Sequence, residues 1–100
     1  MLIVMKFGGT SVGSVPALQN LVDIVRRSHG QGDQVVLVVS AMSGVTDMLL
    51  NAAHQAEAGD EAAAQGARVK IGQKHAEATL HFLGDTPERT AVLSEIDSLL

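Results

Sequence analysis

Five aliphatic residues in a row, Val35-Val36-Leu37-Val38-Val39, constrain this chain more than any other segment. A run of this length, mostly β-branched and apolar at every position, predicts a strand covered on both faces. Such strands belong to parallel sheets, whose neighbours are joined by crossover connections carrying helices. A second apolar run, Leu2 to Phe7, is bounded by Gly8-Gly9 and predicts a buried strand as well. Between the two, Pro16 suits the first turn of a helix, where its missing N–H costs nothing. Leu18, Leu21, Val22 and Val25 follow at helical spacing, and Gly30 and Gly32 stop that helix. Strand, helix, strand reads as an α/β fold with a parallel sheet flanked by helices.

The remainder is helical. Ser40-Ala41-Met42-Ser43-Gly44 forms a turn, and a helix follows with Val45, Met48, Leu49, Ala52 and Ala56 on one face, ending near Gly59. Asp60 to His81 is an Ala-rich helix in which Gly66 and Gly72 each cost about 1 kcal/mol relative to Ala. Thr86 then Pro87 reads as an N-cap and first helical residue. Val92, Ile96, Leu99 and Leu100 line the last helix, and the chain stops inside that apolar pattern. Two strands are too few for an independent sheet. Together these features predict one partial domain, cut from a longer chain.

Composition narrows the functional classes. The 100 residues include two aromatics, Phe7 and Phe82, so the core is aliphatic. The net charge is −4 and no basic cluster exceeds Arg26-Arg27, which argues against a nucleic-acid partner. Without cysteine there is neither a disulfide nor a thiolate metal site. The apolar start ends at Lys6, too early for a signal peptide, and no apolar stretch reaches membrane-spanning length. A soluble cytoplasmic protein with no membrane partner is expected. His29, His54, His75 and His81 show no metal-ligand spacing and are expected on solvated helix faces.

Two segments carry chemistry. In Lys6-Phe7-Gly8-Gly9-Thr10-Ser11 a lysine ends a strand, two glycines follow, then two hydroxyls. Glycines let backbone N–H groups approach an anion closely, and the lysine adds a compact positive charge. The strand's carboxyl end is where open α/β sheets bind ligands. The spacing is not that of a Walker A loop, because the lysine precedes the glycines. An ordinary strand-to-helix turn with a solvated lysine fits the same residues. The second segment, Val39-Ser40-Ala41-Met42-Ser43-Gly44-Val45-Thr46-Asp47, also follows a strand and opens a helix, offering free N–H groups to an anion. Ser40 and Thr46 can donate hydrogen bonds. For Ser43 and Asp47 helix capping is the preferred reading, with Ser43 as N-cap and Asp47 in the first turn.

The first segment resembles the motif that opens aspartate kinases. Val38 to Asp47 resembles their second motif, in matching order, and the close resemblance extends to about Leu50. It implies the N-terminal portion of an amino-acid-kinase fold, of the carbamate-kinase-like type. It also implies transfer of the γ-phosphoryl group of ATP to the side-chain carboxylate of L-aspartate, giving 4-phospho-L-aspartate in the first step of lysine, threonine and methionine biosynthesis. By match of position, Lys6 would be catalytic and would neutralise the transferring group. Lys6, Phe7, Gly8, Gly9, Thr10 and Ser11 would form the ATP loop, with Mg²⁺ accompanying the nucleotide. Ser40 and Thr46 would bind aspartate. The family is several times longer, so the C-terminal half of the kinase domain and the regulatory ACT domains are expected to be absent. The 100 residues alone are then expected to be inactive and prone to self-associate, within a parent that forms homo-oligomers. Glutamate 5-kinase, acetylglutamate kinase and a non-catalytic binding or assembly module are the alternatives.

Overall fold

The computed structural model describes all 100 residues, Met1–Leu100. They form two compact units, Met1–Thr46 and Asp47–Leu100.

In the first unit, strand β1 (Leu2–Phe7) leads through a short 3-10 turn (Gly9–Val12) into helix α1 (Val15–Gly30) and then strand β2 (Gln34–Val39). The two strands pair in parallel, Leu2 opposite Gln34 and Phe7 opposite Val39. Parallel pairing of neighbours requires a crossover, and α1 is that crossover, packed on β2 and on the 3-10 turn. Its start is local chemistry. Ser14 accepts a hydrogen bond from the Ala17 amide at 3.3 Å, and Pro16 sits in the first turn. Its end is Gly30, after which Gly32 turns the chain at φ 91°, a conformation that a side chain resists. Val12 and Leu21 are the buried apolar residues of the βαβ unit, with Val45 buried at its end.

Both strands lie where the sequence places them, but they are not covered on both faces. Leu2 and Val4 are 64% and 65% exposed, and Val36 and Val38 47% each. The register puts these four residues on one face, opposite Ile3, Met5 and Phe7. A single crossover helix can cover only one side of a sheet, which leaves that face open, and α1 covers its own side only in part, since Leu37 and Val39 there are 42% and 57% exposed.

Helix α2 (Val45–Glu57) begins at the end of the first unit. In the second unit α3 (Glu61–Leu83) and α4 (Pro87–Leu99) pack on each other. Asp60 caps α3 by accepting from the Ala63 amide at 3.0 Å, and Thr86 caps α4 by accepting from the Arg89 amide at 3.3 Å. The buried residues here are Ile71, Ala78 and Thr79. Thr79 is satisfied by donating to the His75 carbonyl at 2.8 Å. His75 is half-buried, with Nδ1 2.7 Å from the Ile71 carbonyl, whereas His29, His54 and His81 are exposed. The expectation of a solvated face is therefore corrected at His75, where the ring turns back on its own helix. The apolar faces of α2 and α4 are also thinner than their periodicity implies, since Leu49 is 51% and Leu99 80% exposed. No helix is long and apolar enough to cross a membrane.

Candidate functional site

Parallel pairing in register brings the ends of β1 and β2 side by side. The pair Phe7–Val39 is the last of the ladder, and the Ser40 amide then donates to the Phe7 carbonyl at 3.2 Å. Gly8 therefore leaves β1 beside the point where Ser40 leaves β2. The two loops suspected from sequence share one sheet end because of this register.

The first loop is tightened by the Ser11 amide, which donates to the Gly8 carbonyl at 3.0 Å. Val12 is only 3% exposed and pins the loop into the core. Gly8 has φ −76° and ψ −179°, extended backbone open to any residue, and a Cβ placed there would meet nothing within 4 Å. Neither backbone nor packing asks for glycine at this position, since the space a side chain would take is open. At Gly9 a Cβ would lie 3.7 Å from Ser40 Oγ and 3.9 Å from the Ala41 carbonyl oxygen, so the loops touch there. Thr10 is exposed and Ser11 half-buried. Together with Phe7 and with Ala17, Asn20, Leu21 and Ile24 of α1 they line a cavity of about 270 Å³.

The second loop runs from Ser40 to Gly44. Its far end is pinned by Val45, 5% exposed, whose amide donates to the Met42 carbonyl at 3.0 Å. Ser43 is not the N-cap that local pattern predicts. Gly44, at φ 80°, stands immediately before α2, and no capping bond from Ser43 accompanies it. Asp47 lies in the first turn as expected.

Of the eight residues singled out by sequence, the structure brings Gly9 against Ser40, and Phe7 together with Thr10 and Ser11. It does not bring all of them into one pocket. Lys6 alternates with Phe7 and so lies on the opposite, open face of the sheet, exposed and outside the three ion pairs of the molecule. Thr46 is exposed in the first turn of α2. Sequence reading missed Asn20 and Ile24 as cavity residues, although Ala17, Asn20, Leu21 and Ile24 recur at the three- and four-residue spacing of one helix face.

The electrostatics are simple. Lys6 is the only charged side chain in residues 1–22 and in residues 34–46. Neither loop carries a carboxylate to repel an anion; the one cation, Lys6, stands on the sheet face opposite the Phe7, Thr10 and Ser11 cavity, and the loops add the hydroxyls of Thr10 and Ser40. That donor set fits phosphate. It does not fit a divalent cation such as Mg²⁺, which takes oxygen ligands and usually one or two carboxylates. No group of three or more His, Asp or Glu side chains comes together elsewhere.

The chain matches the sequence profile of the amino acid kinase family over residues 1–94. It is 52% identical over 54 residues to a protein named aspartokinase from Pseudomonas aeruginosa, an alignment covering 54% of this chain and 13% of that protein. It is 58% identical over 50 residues to an aspartokinase from Helicobacter pylori, covering 50% of this chain and 12% of that protein. A similar stretch is 50% identical to an aspartokinase from Geobacillus stearothermophilus, over 54% of this chain and 13% of that protein. The aligned stretch thus spans 12–13% of the length of these curated relatives. No solved structure matches the chain.

Proposed function

The chain belongs to the amino acid kinase family, and from that premise we propose that its two loops form the phosphoryl-transfer edge of an aspartate kinase. The reaction is attack by the side-chain carboxylate of L-aspartate on the γ-phosphorus of ATP. A carboxylate O–P bond forms, the bond from phosphorus to the β,γ-bridging oxygen breaks, and ADP leaves with that electron pair.

The observation that carries this reading is the shared sheet end. The register sets the glycine loop of β1 beside the serine loop of β2, with Lys6 the only charge on either strand or loop. The nucleophile is already ionised, so no general base is needed. The obstacle is repulsion between two anions, and positioning with positive charge and N–H donors answers it. In this proposal Gly8 and Gly9 present backbone to the ATP phosphates, because open space at Gly8 admits an oxygen where a side chain would intrude. Phe7, Thr10 and Ser11 shape the remainder of that loop. Lys6 neutralises charge on the transferring group. Ser40, in contact range of Gly9, meets the reacting end of aspartate, and Thr46 lies near its amino group. A metal that arrives with the nucleotide would be held by phosphate oxygens rather than by these loops. The aspartokinase names of the relatives favour aspartate over other acids of this fold.

The test is hydroxylamine trapping of acyl phosphate by the full polypeptide that carries this segment, supplied with Mg-ATP and aspartate, glutamate or acetylglutamate. The expected result is hydroxamate with aspartate, reduced by about 10²-fold or more in Lys6→Ala, and none from the 100-residue chain alone. Hydroxamate with glutamate or acetylglutamate instead would overturn the substrate assignment. An unchanged Lys6→Ala rate would remove Lys6 from the chemistry.

A further inference from the structure

The two loops meet at a second point that the proposed chemistry leaves unused. A Cβ built on Gly13 would lie 2.6 Å from Ser43 Oγ, 2.9 Å from Ser43 Cβ and 3.0 Å from the Gly9 carbonyl oxygen. The two contacts with Ser43 are closer than real Cβ atoms approach, and the one with the Gly9 carbonyl oxygen is tight. The glycine is not there for its backbone, since φ −77° and ψ −19° suit any residue. It is there because Ser43 occupies the space. Ser43 in turn stands one residue too early to cap α2, which starts at Val45 directly after Gly44. Nor can either loop recoil easily, because each is anchored beside the contact by a buried valine, Val12 at 3% exposure and Val45 at 5%. An added methyl at Gly13 therefore forces the backbone at Gly13 or at Ser43 to shift against those anchors. Gly9 gives the contrast. Its Cβ would sit at 3.7 and 3.9 Å from the second loop, ordinary contact that asks for no movement.

We infer that the Gly13–Ser43 contact is the spacer that sets the separation of the two loops, and that Gly13 is a positioning residue for phosphoryl transfer between them. The second half rests on the kinase reading above; the first does not. A displacement of about 1 Å between donor and acceptor loops is enough to cost on the order of 10²-fold in rate.

Three variants test it: Gly13→Ala, Ser43→Gly, and the two combined. In the 100-residue chain the readout is the amide ¹H–¹⁵N shifts of Gly9, Ser11, Ser40 and Gly44. Gly13→Ala is expected to move all four. Ser43→Gly is expected to move only those near it, and the double variant to return Gly9, Ser11 and Ser40 most of the way towards wild type, because the two Ser43 atoms that clash are gone and only the 3.0 Å contact with the Gly9 carbonyl oxygen remains. In the full polypeptide, Gly13→Ala is expected to lower kcat by about 10²-fold with a much smaller change in KM, and the double variant to recover most of it. Should Gly13→Ala fail to fold, refolding in the double variant upholds the spacer and continued failure overturns it. Unmoved amides in Gly13→Ala, or no rescue by Ser43→Gly, would overturn it too. If wild type shows no aspartate-dependent turnover, the kinase reading fails and the catalytic role with it, while the shifts still decide the spacer.

Discussion

Asp33 illustrates how one side chain can organise several pieces of backbone. Ser28, buried near the end of α1, donates its hydroxyl to Asp33 Oδ2 at 2.8 Å. The Asp33 amide donates back to the Ser28 carbonyl at 3.2 Å, and the terminal ammonium of Met1 lies 3.4 Å from Asp33 Oδ1. The carboxylate thus links the end of the crossover helix to the starts of both strands. Removing it leaves the Ser28 hydroxyl buried without an acceptor, which costs about 1–3 kcal/mol. Asp33→Ala is expected to lower unfolding free energy by that amount in urea denaturation, and a double variant with Ser28→Ala to lower it less. Equal losses would mean that the pair contributes little. This interaction was not legible in the sequence, because nothing in the residue types around Asp33 shows that Ser28 is buried beside it. Lys6, Gly8, Gly9 and Ser40 could be singled out from sequence, because a lysine, glycines and a hydroxyl at strand ends form a pattern within a few neighbouring positions. Ser43 was misread for the same reason: a serine before a helix looks like a cap, and the partner that explains it, Gly13, comes from the other loop.

The helices follow local rules closely. Thr86 and Pro87 start α4 where capping preferences put them, and Thr86 also donates to the Leu83 carbonyl at 2.8 Å. Replacing Thr86 by Ala is expected to cost about 1 kcal/mol, read as a lower thermal midpoint; no change would mean that packing on α3 holds the helix start unaided. Gly66 tests propensity in the other direction. It stands inside α3, a Cβ there meets nothing within 4 Å, and it borders a groove of about 330 Å³ with Met48, Asn51 and Gln55 of α2. Gly66→Ala is expected to stabilise the chain by about 0.5–1 kcal/mol, and a loss of stability would mean that the groove needs the space. Boundaries moved only slightly from expectation. β2 begins at Gln34, and α3 continues to Leu83. The 3-10 turn at Gly9–Val12, whose last residue is buried, was not anticipated, since these residues carry no helix-forming pattern.

Across the whole molecule the open sheet face dominates. Leu2, Val4, Val36 and Val38 form an exposed apolar strip whose only charge is Lys6, and both strand edges lack a further neighbour. Such edges and faces recruit other chains. The 100-residue chain is expected to sediment above monomer mass, and Val4→Lys with Val36→Lys to shift it towards monomer. A wild-type monomer at every concentration would sink this expectation. The sequence was right that these strands are apolar on both sides. It was wrong to infer that both sides are covered here, because hydrophobicity records what a surface can bury, whereas cover depends on the layers present.

The order of elements, their caps and both loop motifs were therefore readable from residues alone, since propensity, capping and glycine chemistry act over a few neighbouring positions. So was membership of the amino acid kinase family, which rests on those same motifs. The pairing of Phe7 with Val39, the closeness of Gly13 to Ser43 and the open face are of another kind. Each depends on which distant segments meet and in what register, and that is settled by the summed packing of the fold.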